Sequence, residues 1–250
     1  MHQIMLDATM RSRHAEERGG SPHVVKRLDP ARTAHLVIDM QNGFLEIGAP
    51  VEVPLARDIV PAVNRVSRAL RRAGGHNVFV QFTTPPDPAS WSAFYERFTP
   101  QAAAQHQAAF RRGAYLWQLW PDLDVDEASD ARIEKQRLGA FIPGTCDLDG
   151  WLRARGIDTL IISGTLTNCC CESTARDAMQ LNYRVIFAAD SNAALSDAEH
   201  NATLHNMAFI FADVMTVQEI EGLLTPVAAP RLRFTPARPV PWPLPPRTGP

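Results

Sequence analysis

Short apolar runs alternate with segments of helical periodicity along most of this sequence, and this alternation limits the folds it can adopt. The runs have the length of β-strands and occupy residues 34–40, 77–82, 131–135, 159–162, 183–190 and 213–215. Between them, apolar residues recur every three or four positions, which predicts helices. Strands that alternate with helices form a parallel sheet that helices cover on both faces. The sequence therefore predicts an α/β fold, a Rossmann-like three-layer doubly wound sheet of about six mostly parallel strands.

The two ends of the chain differ in composition from this alternating region. Residues 1–30 are polar, and we predict that they form a flexible or loosely packed arm. Residues 226–250 contain nine of the 20 prolines, which predicts an extended tail. Residues 31–225 then form one domain, of a size that a chain of 250 residues allows.

Charge and cysteine content narrow the expected partners and compartment. The net charge of −2 gives no reason to expect nucleic acid or an anionic membrane as a partner. We also expect no membrane span and no signal peptide, because the longest apolar runs have only strand length. Three of the four cysteines are consecutive, which suits neither a disulfide framework nor a zinc site. We therefore predict reduced thiols in the cytoplasm.

The three consecutive cysteines, 169–171, lie where a strand is predicted to turn into a helix. The first turn of a helix has unpaired N–H groups and a partial positive charge. A thiol placed there has a lowered pKa and becomes a nucleophile. The alternative is that these are three small apolar side chains of a buried helix, since free cysteine is among the most buried residue types.

Three residues that can do chemistry follow predicted parallel strands directly. Asp39 closes the first strand, Lys135 closes the third, and Cys170 follows the fourth. Each has an ordinary alternative, because such an aspartate often caps a helix and such a lysine is usually solvated. Together they would meet at the carboxyl edge of the sheet. There a carboxylate can take the proton of a thiol, and an ammonium can stabilise the thiolate.

Three stretches resemble the isochorismatase-like cysteine hydrolase superfamily, in the same order and at the same spacing. They are LVIDMQNGF at residues 36–44, EKQRLGAF at 134–141 and GTLTNCCCESTARDA at 164–178. The resemblance implies a catalytic triad in which Cys170 is the nucleophile, Asp39 the general base and acid, and Lys135 an electrostatic support. The residues of the third stretch look most like those of the ureidoacrylate amidohydrolase and streptothricin hydrolase branches. The substrate expected from it is a small amide, ureide or lactam.

The resemblance also implies how the backbone stabilises the reaction. It places a non-proline cis peptide just before Leu166. The N–H groups of Leu166 and Cys170 would then form an oxyanion hole. Cys169 and Cys171 stand where the family usually has apolar residues, so we interpret them as packing residues.

Departures from the zinc-dependent nicotinamidases of this superfamily predict that no metal or other cofactor is bound. Those enzymes hold zinc through an Asp-x-His pair and a further histidine, whereas residues 46–58 contain no histidine here. His200 and His205 are five positions apart, a spacing that directs them to different helix faces. We predict that both are solvated or capping residues.

Substrate contacts are expected beside the base, at the end of the second strand and in the aromatic-rich segment 91–120. The candidates are Gln41, Asn42, Phe44, Phe82, Thr84 and Trp117. An equally good reading of the aromatic residues in 91–120 is ordinary core packing.

Three functions remain open from the sequence. The favoured hypothesis is a metal-independent cysteine hydrolase that cleaves a C–N bond through a thioester. The alternatives are an isochorismatase-type vinyl ether hydrolase and a non-catalytic binding or scaffold member of the fold. We also expect a homo-oligomer, because members of the superfamily commonly assemble.

Overall fold

Within residues 1–224, six strands form one sheet in which every neighbouring pair is parallel. The strands are β1 (Thr33–Ile38), β2 (His76–Phe82), β3 (Ala131–Lys135), β4 (Thr159–Thr165), β5 (Arg184–Ala193) and β6 (Asp213–Met215). Their order across the sheet is β3-β2-β1-β4-β5-β6. From β1 the chain adds β2 and β3 on one side of the sheet and then β4, β5 and β6 on the other side, so the strand order reverses between β1 and β4. Parallel α/β sheets bind ligands at such a switch point.

The computed structural model describes residues 1–224, apart from the side chains of residues 9–11, 13 and 14. The proline-rich tail predicted for residues 226–250 lies outside the described residues. Nine α-helical segments occur in the described part: α1 (Ala8–Glu17), α2 (Asn42–Leu45), α3 (Val60–Arg72), α4 (Ser92–Tyr95), α5 (Pro100–Ala109), α6 (Leu148–Ala154), α7 (Glu172–Gln180), α8 (Asp197–Asn206) and α9 (Val217–Leu224). None of these helices is long and apolar enough to cross a membrane.

Helices cover both faces of the sheet, which confirms the predicted three layers. The core on one face joins β1 to α6, α7 and α8, and the core on the other face joins the sheet to α3 and α9. The alternation of side chains along β1 serves both layers, because Leu36 and Ile38 face α6 to α8 while Val37 lies in a core on the opposite side. All six residues of β1 are buried, as expected of a central parallel strand.

Helix boundaries follow local capping chemistry. Ser196 caps α8, since its hydroxyl accepts from the Glu199 N–H at 3.3 Å. A capping box precedes α9: the Thr216 N–H donates to a Glu219 carboxylate oxygen at 2.7 Å. A π-helical turn at Thr167–Cys171 precedes α7 and carries the three consecutive cysteines.

The first 30 residues are more ordered than their polar composition predicts. Residues Ala8–Glu17 form α1, and the segment before it packs on α8. The Met5 N–H donates to Asn201 Oδ1 at 2.6 Å, and His2 Nδ1 lies 2.7 Å from Asp197 Oδ1. These contacts match polar groups of the arm with polar groups of a distant helix, so a search for apolar periodicity does not find them.

Candidate active site

A buried ion pair lies at the carboxyl edge of the sheet. Asp39 follows the last residue of β1, Lys135 is the last residue of β3, and β2 lies between the two strands. Lys135 Nζ is 2.8 Å from Asp39 Oδ2, and neither side chain is exposed. The ammonium also donates to the Arg137 carbonyl at 3.0 Å. Asp39 has a φ of 52°, an uncommon conformation outside glycine that is often found at functional sites.

The pKa values of this pair shift because of burial and of each other. Burial raises the pKa of Asp39 above its ordinary value, and the charge of Lys135 only partly offsets that effect. Burial opposes the charge of Lys135, but Asp39 and Cys170 outweigh it and raise the pKa of the ammonium. The contact is an ion pair without good hydrogen-bond alignment, since the carboxylate oxygens have no well-aligned donor among the described residues. Asp39 is thus an unusually basic carboxylate beside a permanent positive charge.

The Cys170 side chain lies against this pair, close enough to alter the pKa of both Asp39 and Lys135. It is only 5% exposed and belongs to the π-helical turn after β4. A contact with the Cys169 thiol, burial and the Asp39 charge raise the pKa of Cys170, although Lys135 acts in the opposite direction. The expected lowering of the Cys170 pKa is therefore not found in the resting protein, because the contact with the Cys169 thiol and burial outweigh the effect of the helix start.

The backbone before Cys170 has the predicted cis peptide. The bond joins Thr165 to Leu166, at the end of β4. The Leu166 carbonyl accepts from the N–H groups of Cys169 and Cys171 at 3.1 and 3.2 Å. The Leu166 N–H, in contrast, has no acceptor among the residues that the structure describes. That donor is available to a ligand.

Close packing fixes β4 against β1 just before this turn. Gly164 has a φ of +127°, and a Cβ built there would be 2.1 Å from the Ile38 carbonyl oxygen. Any side chain at this position would push β4 away from the strand that ends at Asp39. Glycine is thus needed to hold Asp39 and the turn that carries Cys170 in register.

A buried polar chain braces the nucleophile turn from the other side. Thr167 Oγ1 lies 2.9 Å from His200 Nδ1, and the His200 ring stacks on the His2 ring at a centroid distance of 4.2 Å. The predicted solvated or capping role of His200 is therefore wrong, because the N-terminal arm covers it and its side chain is buried. Burial lowers the pKa of His200 to about 4, so the ring is neutral at neutral pH.

Comparison with known proteins agrees with this arrangement of strands and side chains. The model of the isochorismatase domain matches residues 33–219. The chain belongs to the isochorismatase family. It is 33% identical over 204 residues to the uncharacterized isochorismatase family protein YwoC of Bacillus subtilis. The aligned region covers 80% of this chain and 96% of the relative.

Two further similarities concern proteins named as hydrolases. The chain is 28% identical over 225 residues to the ureidoacrylate amidohydrolase RutB of Pseudomonas savastanoi pv. phaseolicola, with 82% of this chain and 88% of that one covered. The crystal structure of a cysteine hydrolase from Pseudomonas syringae pv. phaseolicola 1448A aligns with a TM-score of 0.74 at 28% identity, covering 82% of this chain and 97% of that one. The chain is thus an isochorismatase-family hydrolase, and its predicted fold class is confirmed.

The predicted contact residues after the base occupy structural positions in this isochorismatase-family protein. The Gln41 amide donates to the carbonyls of Phe82 and Trp117 at 3.0 and 2.7 Å and accepts from the Phe82 N–H. Asn42 Nδ2 donates to the Tyr115 carbonyl at 3.0 Å, while its Oδ1 is buried without a partner among the described residues. Gln41 therefore ties the loop after β1 to the end of β2.

The other predicted contacts divide between the core and the neighbourhood of Lys135. The Phe82 ring lies 5.2 Å from Lys135 Nζ, whereas the Phe44 ring packs on the buried core ring of Phe110 at 4.6 Å. Thr84 donates its hydroxyl to the Gln107 carbonyl. Trp117 donates its indole N–H to Thr83 Oγ1 at 2.8 Å. Of these side chains, Phe82 lies in direct contact with the catalytic candidates.

A cluster of aromatic rings, here called the aromatic wall, covers the Lys135 side of the site. It comprises Phe82, Trp91, Phe94, Tyr95, Phe98, His106 and Phe110. Five of these rings surround that of His106 at centroid distances of 5.1 to 6.0 Å. Burial and the charge of Lys135 lower the pKa of His106 to about 4. The sequence pattern missed His106, because α5 carries it within a run of alanines and glutamines that has no functional motif.

A shallow cleft of about 470 Å³ is lined in part by residues that follow Lys135 and Cys170 in the chain. Trp91 of the aromatic wall lines one side of it. Other lining residues stand next to the catalytic candidates in the chain, since Arg137 is two residues after Lys135 and Ser173 three residues after Cys170. The Arg137 guanidinium lies 5.0 Å from the centre of the Trp91 ring.

The described residues give no position for a metal ion. No group of three or more His, Cys, Asp or Glu side chains within residues 1–224 could hold one. The four cysteines are free thiols.

Proposed function

We propose that this isochorismatase-family protein is a metal-independent cysteine amidohydrolase that cleaves the C–N bond of a small amide or ureide. The observation that carries the proposal is the buried Asp39–Lys135 ion pair with the Cys170 thiol against it. Burying two charged side chains is costly unless they pair with each other. A cysteine that served only as a small apolar packing residue would need no ion pair beside it. A carboxylate with a raised pKa beside a thiol is the arrangement that general-base activation of a nucleophile requires.

In the first half-reaction, Asp39 takes the proton of the Cys170 thiol while the sulfur attacks the substrate carbonyl carbon. A C–S bond forms and the carbonyl oxygen becomes an oxyanion. The N–H groups of Leu166 and Cys170 donate to that oxyanion, a contribution of about 3–4 kcal/mol for a single such donor. Protonated Asp39 then gives its proton to the leaving nitrogen, the C–N bond breaks, and ammonia or an amine departs from a thioester.

In the second half-reaction, water replaces the amine. Asp39 takes a proton from the water, whose oxygen attacks the thioester carbonyl. The C–S bond breaks and the acid or carbamate product leaves, while the sulfur recovers its proton from Asp39. Lys135 stays protonated throughout and stabilises the negative charge that moves between Asp39 and the sulfur.

The raised pKa of Cys170 supports this order of events. A resting thiolate would need no base, whereas a resting thiol transfers its proton only as the sulfur attacks. A relative named ureidoacrylate amidohydrolase and a solved structure named cysteine hydrolase support the same chemistry for this chain. The cysteine also disfavours the alternative of a vinyl ether hydrolase, since hydrolysis of an enol ether needs no thiol nucleophile.

Two sequence predictions belong to the same proposal. We infer that the chain assembles into a homo-oligomer and works in the cytoplasm, where its four thiols remain reduced. The domain limits at residues 31–225 remain predictions as well.

The proposal is tested with a panel of small amides, ureides and lactams, ureidoacrylate among them. Wild-type protein should release ammonia or an amine from at least one member, and Cys170→Ala should reduce the rate by at least about 10³-fold while the protein stays folded. Cys146→Ala removes a thiol outside the triad and serves as the matched control. Substantial turnover by Cys170→Ala, or release of pyruvate from isochorismate in place of any C–N cleavage, would contradict the assignment.

A further inference from the structure

Two stacked histidine rings lie behind the turn that carries Cys170. His200 of α8 is fully buried, and the His2 side chain of the N-terminal arm is only 2% exposed. The two ring centroids are 4.2 Å apart and the ring planes differ by 9°. His200 Nδ1 lies 2.9 Å from Thr167 Oγ1, and Thr167 is three residues before Cys170 in the π-helical turn. The arm therefore reaches this turn through a single imidazole.

Both ring nitrogens of His2 have partners inside the protein. The Ala194 N–H donates to His2 Nε2 at 2.9 Å, so this nitrogen carries no proton. Nδ1 therefore carries the ring proton and donates it to Asp197 Oδ1 at 2.7 Å. The residue after β5 and the first residue of α8 thus fix the His2 ring in the orientation that covers His200.

The contact between Thr167 and His200 depends on a neutral imidazole. The Ala189 carbonyl of β5 acts on His200 as a hydrogen-bond acceptor, although this contact is not well aligned. The ring proton of His200 is therefore assigned to Nε2, and Nδ1 accepts from the Thr167 hydroxyl. In an imidazolium both ring nitrogens are donors, so the Thr167 hydroxyl would have to turn away. Protonation would also place a buried charge behind the turn that carries Cys170.

The groups around His200 keep the imidazole neutral. Burial is the main cause of its pKa of about 4. His2 from the arm also lowers the pKa of His200, whereas Asp197 from α8 raises it. The Glu172 carboxylate at the start of α7 faces α8 as well, but it accepts from the Thr203 hydroxyl at 2.7 Å. Because the arm supplies the ring that covers His200, removal of that ring would admit water and raise the pKa towards its ordinary value.

We propose that His2 is a positioning residue of the hydrolase: stacked on His200, it keeps that imidazole neutral against Thr167 and so holds the turn that carries Cys170 in its working geometry. The inference rests on the proposed function, because it takes Cys170 to be the nucleophile. It goes beyond that function by giving the N-terminal arm, which precedes the matched isochorismatase domain at residues 33–219, a role in turnover without any contact with substrate.

The test compares the pH dependence of kcat in His2→Ala with that of wild-type full-length protein, on an amide or ureide that the wild type hydrolyses. Without the covering ring, His200 should titrate near the ordinary histidine value of about 6.5. The ratio of the variant kcat to the wild-type kcat should then fall about tenfold between about pH 8 and about pH 5.5, in proportion to the neutral imidazole. KM should change less than about twofold, because His2 does not touch substrate. The ratio cancels the acid limb that Asp39 gives to both proteins.

Two further variants separate positioning from stability. The double variant His2→Ala with His200→Asn contains no titrating ring, and the asparagine oxygen can still accept from Thr167, so its kcat ratio should not change with pH. His2→Phe keeps a ring over His200 but loses the bonds to Ala194 and Asp197. It should melt at a lower temperature than the wild type and still show a constant kcat ratio.

The matched control is His205→Ala, on the same helix as His200. His205 Nε2 accepts from the Asp7 N–H at 3.2 Å, so this variant removes another contact between α8 and the arm while the stacked pair stays intact. Its kcat should follow that of the wild type at every pH.

Titration of the imidazoles by NMR tests the same coupling without a substrate, with the His200 signal identified by its absence from His200→Asn. In wild-type protein this signal should not titrate above about pH 5, whereas in His2→Ala it should titrate near about 6.5.

The outcomes distinguish this inference from the proposed function. A wild-type His200 that titrates near about 6.5, or a kcat ratio that is constant in His2→Ala, would overturn the inference. A fall in the ratio that persists in the double variant, or that His205→Ala shares, would overturn it as well. Each of those results would leave the hydrolysis test with Cys170→Ala unaffected. Absence of C–N cleavage by wild-type protein would instead overturn the proposed function and, with it, the role of His2 in turnover.

Discussion

The two sides of the active site treat their buried hydroxyl groups differently. On the nucleophile side, Thr165 donates to the Ala193 carbonyl, Thr167 contacts His200, and Thr174 accepts from the Ala140 N–H. On the opposite side, the Tyr95 hydroxyl within the aromatic wall has no partner among the described residues. Paired groups hold one geometry, whereas an unpaired group gains most from a ligand.

This difference in hydrogen bonding indicates that the two sides of the site have different roles. The reacting atoms need fixed positions within a fraction of an ångström, so the turn that carries Cys170 is braced from β5, α7 and α8. In the aromatic wall, the Tyr95 hydroxyl and His106 Nδ1 have no hydrogen-bond partner among the described residues. The Asp39–Lys135 pair joins the two sides, because Asp39 follows the central strand and Lys135 lies against Phe82 of the wall.

The largest expected effect comes from separating that pair. Asp39→Asn or Lys135→Met alone should reduce the free energy of unfolding by about 3–5 kcal/mol, because each leaves a buried charge without its partner. The double variant should recover most of that loss while activity stays at least about 10²-fold down, since the general base is gone. Urea denaturation and ammonia release measure the two quantities. Additive losses of stability in the double variant would show that the charges do not act as a pair.

A smaller effect separates the braced side from the uncommitted side. Thr167→Val keeps the shape of the side chain and leaves His200 Nδ1 unpaired, so it should cost about 1–3 kcal/mol of stability and lower kcat. Tyr95→Phe should cost no stability. The comparison is made by chemical denaturation of both variants under the same conditions. If Tyr95→Phe is as destabilising as Thr167→Val, the two sides do not differ in the way described here.

The buried histidines predict how acid affects stability. The pKa values of His35, His106 and His200 fall from 6.5 to about 3, 4 and 4, with burial as the main cause. Between pH 6.5 and those values the unfolded chain binds protons that the folded protein does not. The free energy of unfolding therefore has its full value above pH 6.5, as far as these histidines affect it. It decreases as pH falls below about 6.5, by at most about 1.4 kcal/mol per pH unit for each histidine.

Denaturation with urea at pH 7, 6 and 5 measures this slope. His106→Phe removes one of the three histidines and should reduce the loss between pH 7 and 5. A free energy of unfolding that does not change across this range would mean that the imidazoles take up protons in the folded protein as readily as in the unfolded chain. That result would also weaken the assignment of a neutral His106 to the aromatic wall.

The smallest effect expected is a displacement of the acid limb of activity. Because burial raises the pKa of Asp39, kcat/KM should fall at a pH above the ordinary titration of an aspartate. The midpoint should hardly move between about 0.1 M and about 1 M salt, since buried charges are poorly screened. A limb at the ordinary aspartate value, or one that shifts strongly with salt, would place the essential base outside the buried pair.

The sequence predicts the fold and the meeting of the three catalytic candidates, because both follow from strand order. Asp39 and Cys170 follow parallel strands and Lys135 ends one, and parallel strands place their carboxyl ends at one edge. The cis peptide at Leu166 agrees with the resemblance on which it was predicted.

The remaining features could not be predicted, because they depend on contacts between distant segments. His200 is buried by His2, which lies almost 200 positions earlier in the chain. The rings around His106 come from β2, from α4 and from the segments that follow α4 and α5, and α5 shows no apolar stripe that would place His106 among them. The raised pKa of Cys170 depends on burial and on neighbouring groups, neither of which the strand-to-helix turn reveals.

The thioester itself is the species that tests the central claim most directly. Wild-type protein is mixed with an amide or ureide that it hydrolyses, quenched with acid within the first turnovers, digested and analysed by mass spectrometry. We predict an acyl or carbamoyl group on Cys170 that hydroxylamine removes and that neither Cys169 nor Cys171 carries. Steady hydrolysis without any adduct on Cys170, together with activity in Cys170→Ala, would contradict the account.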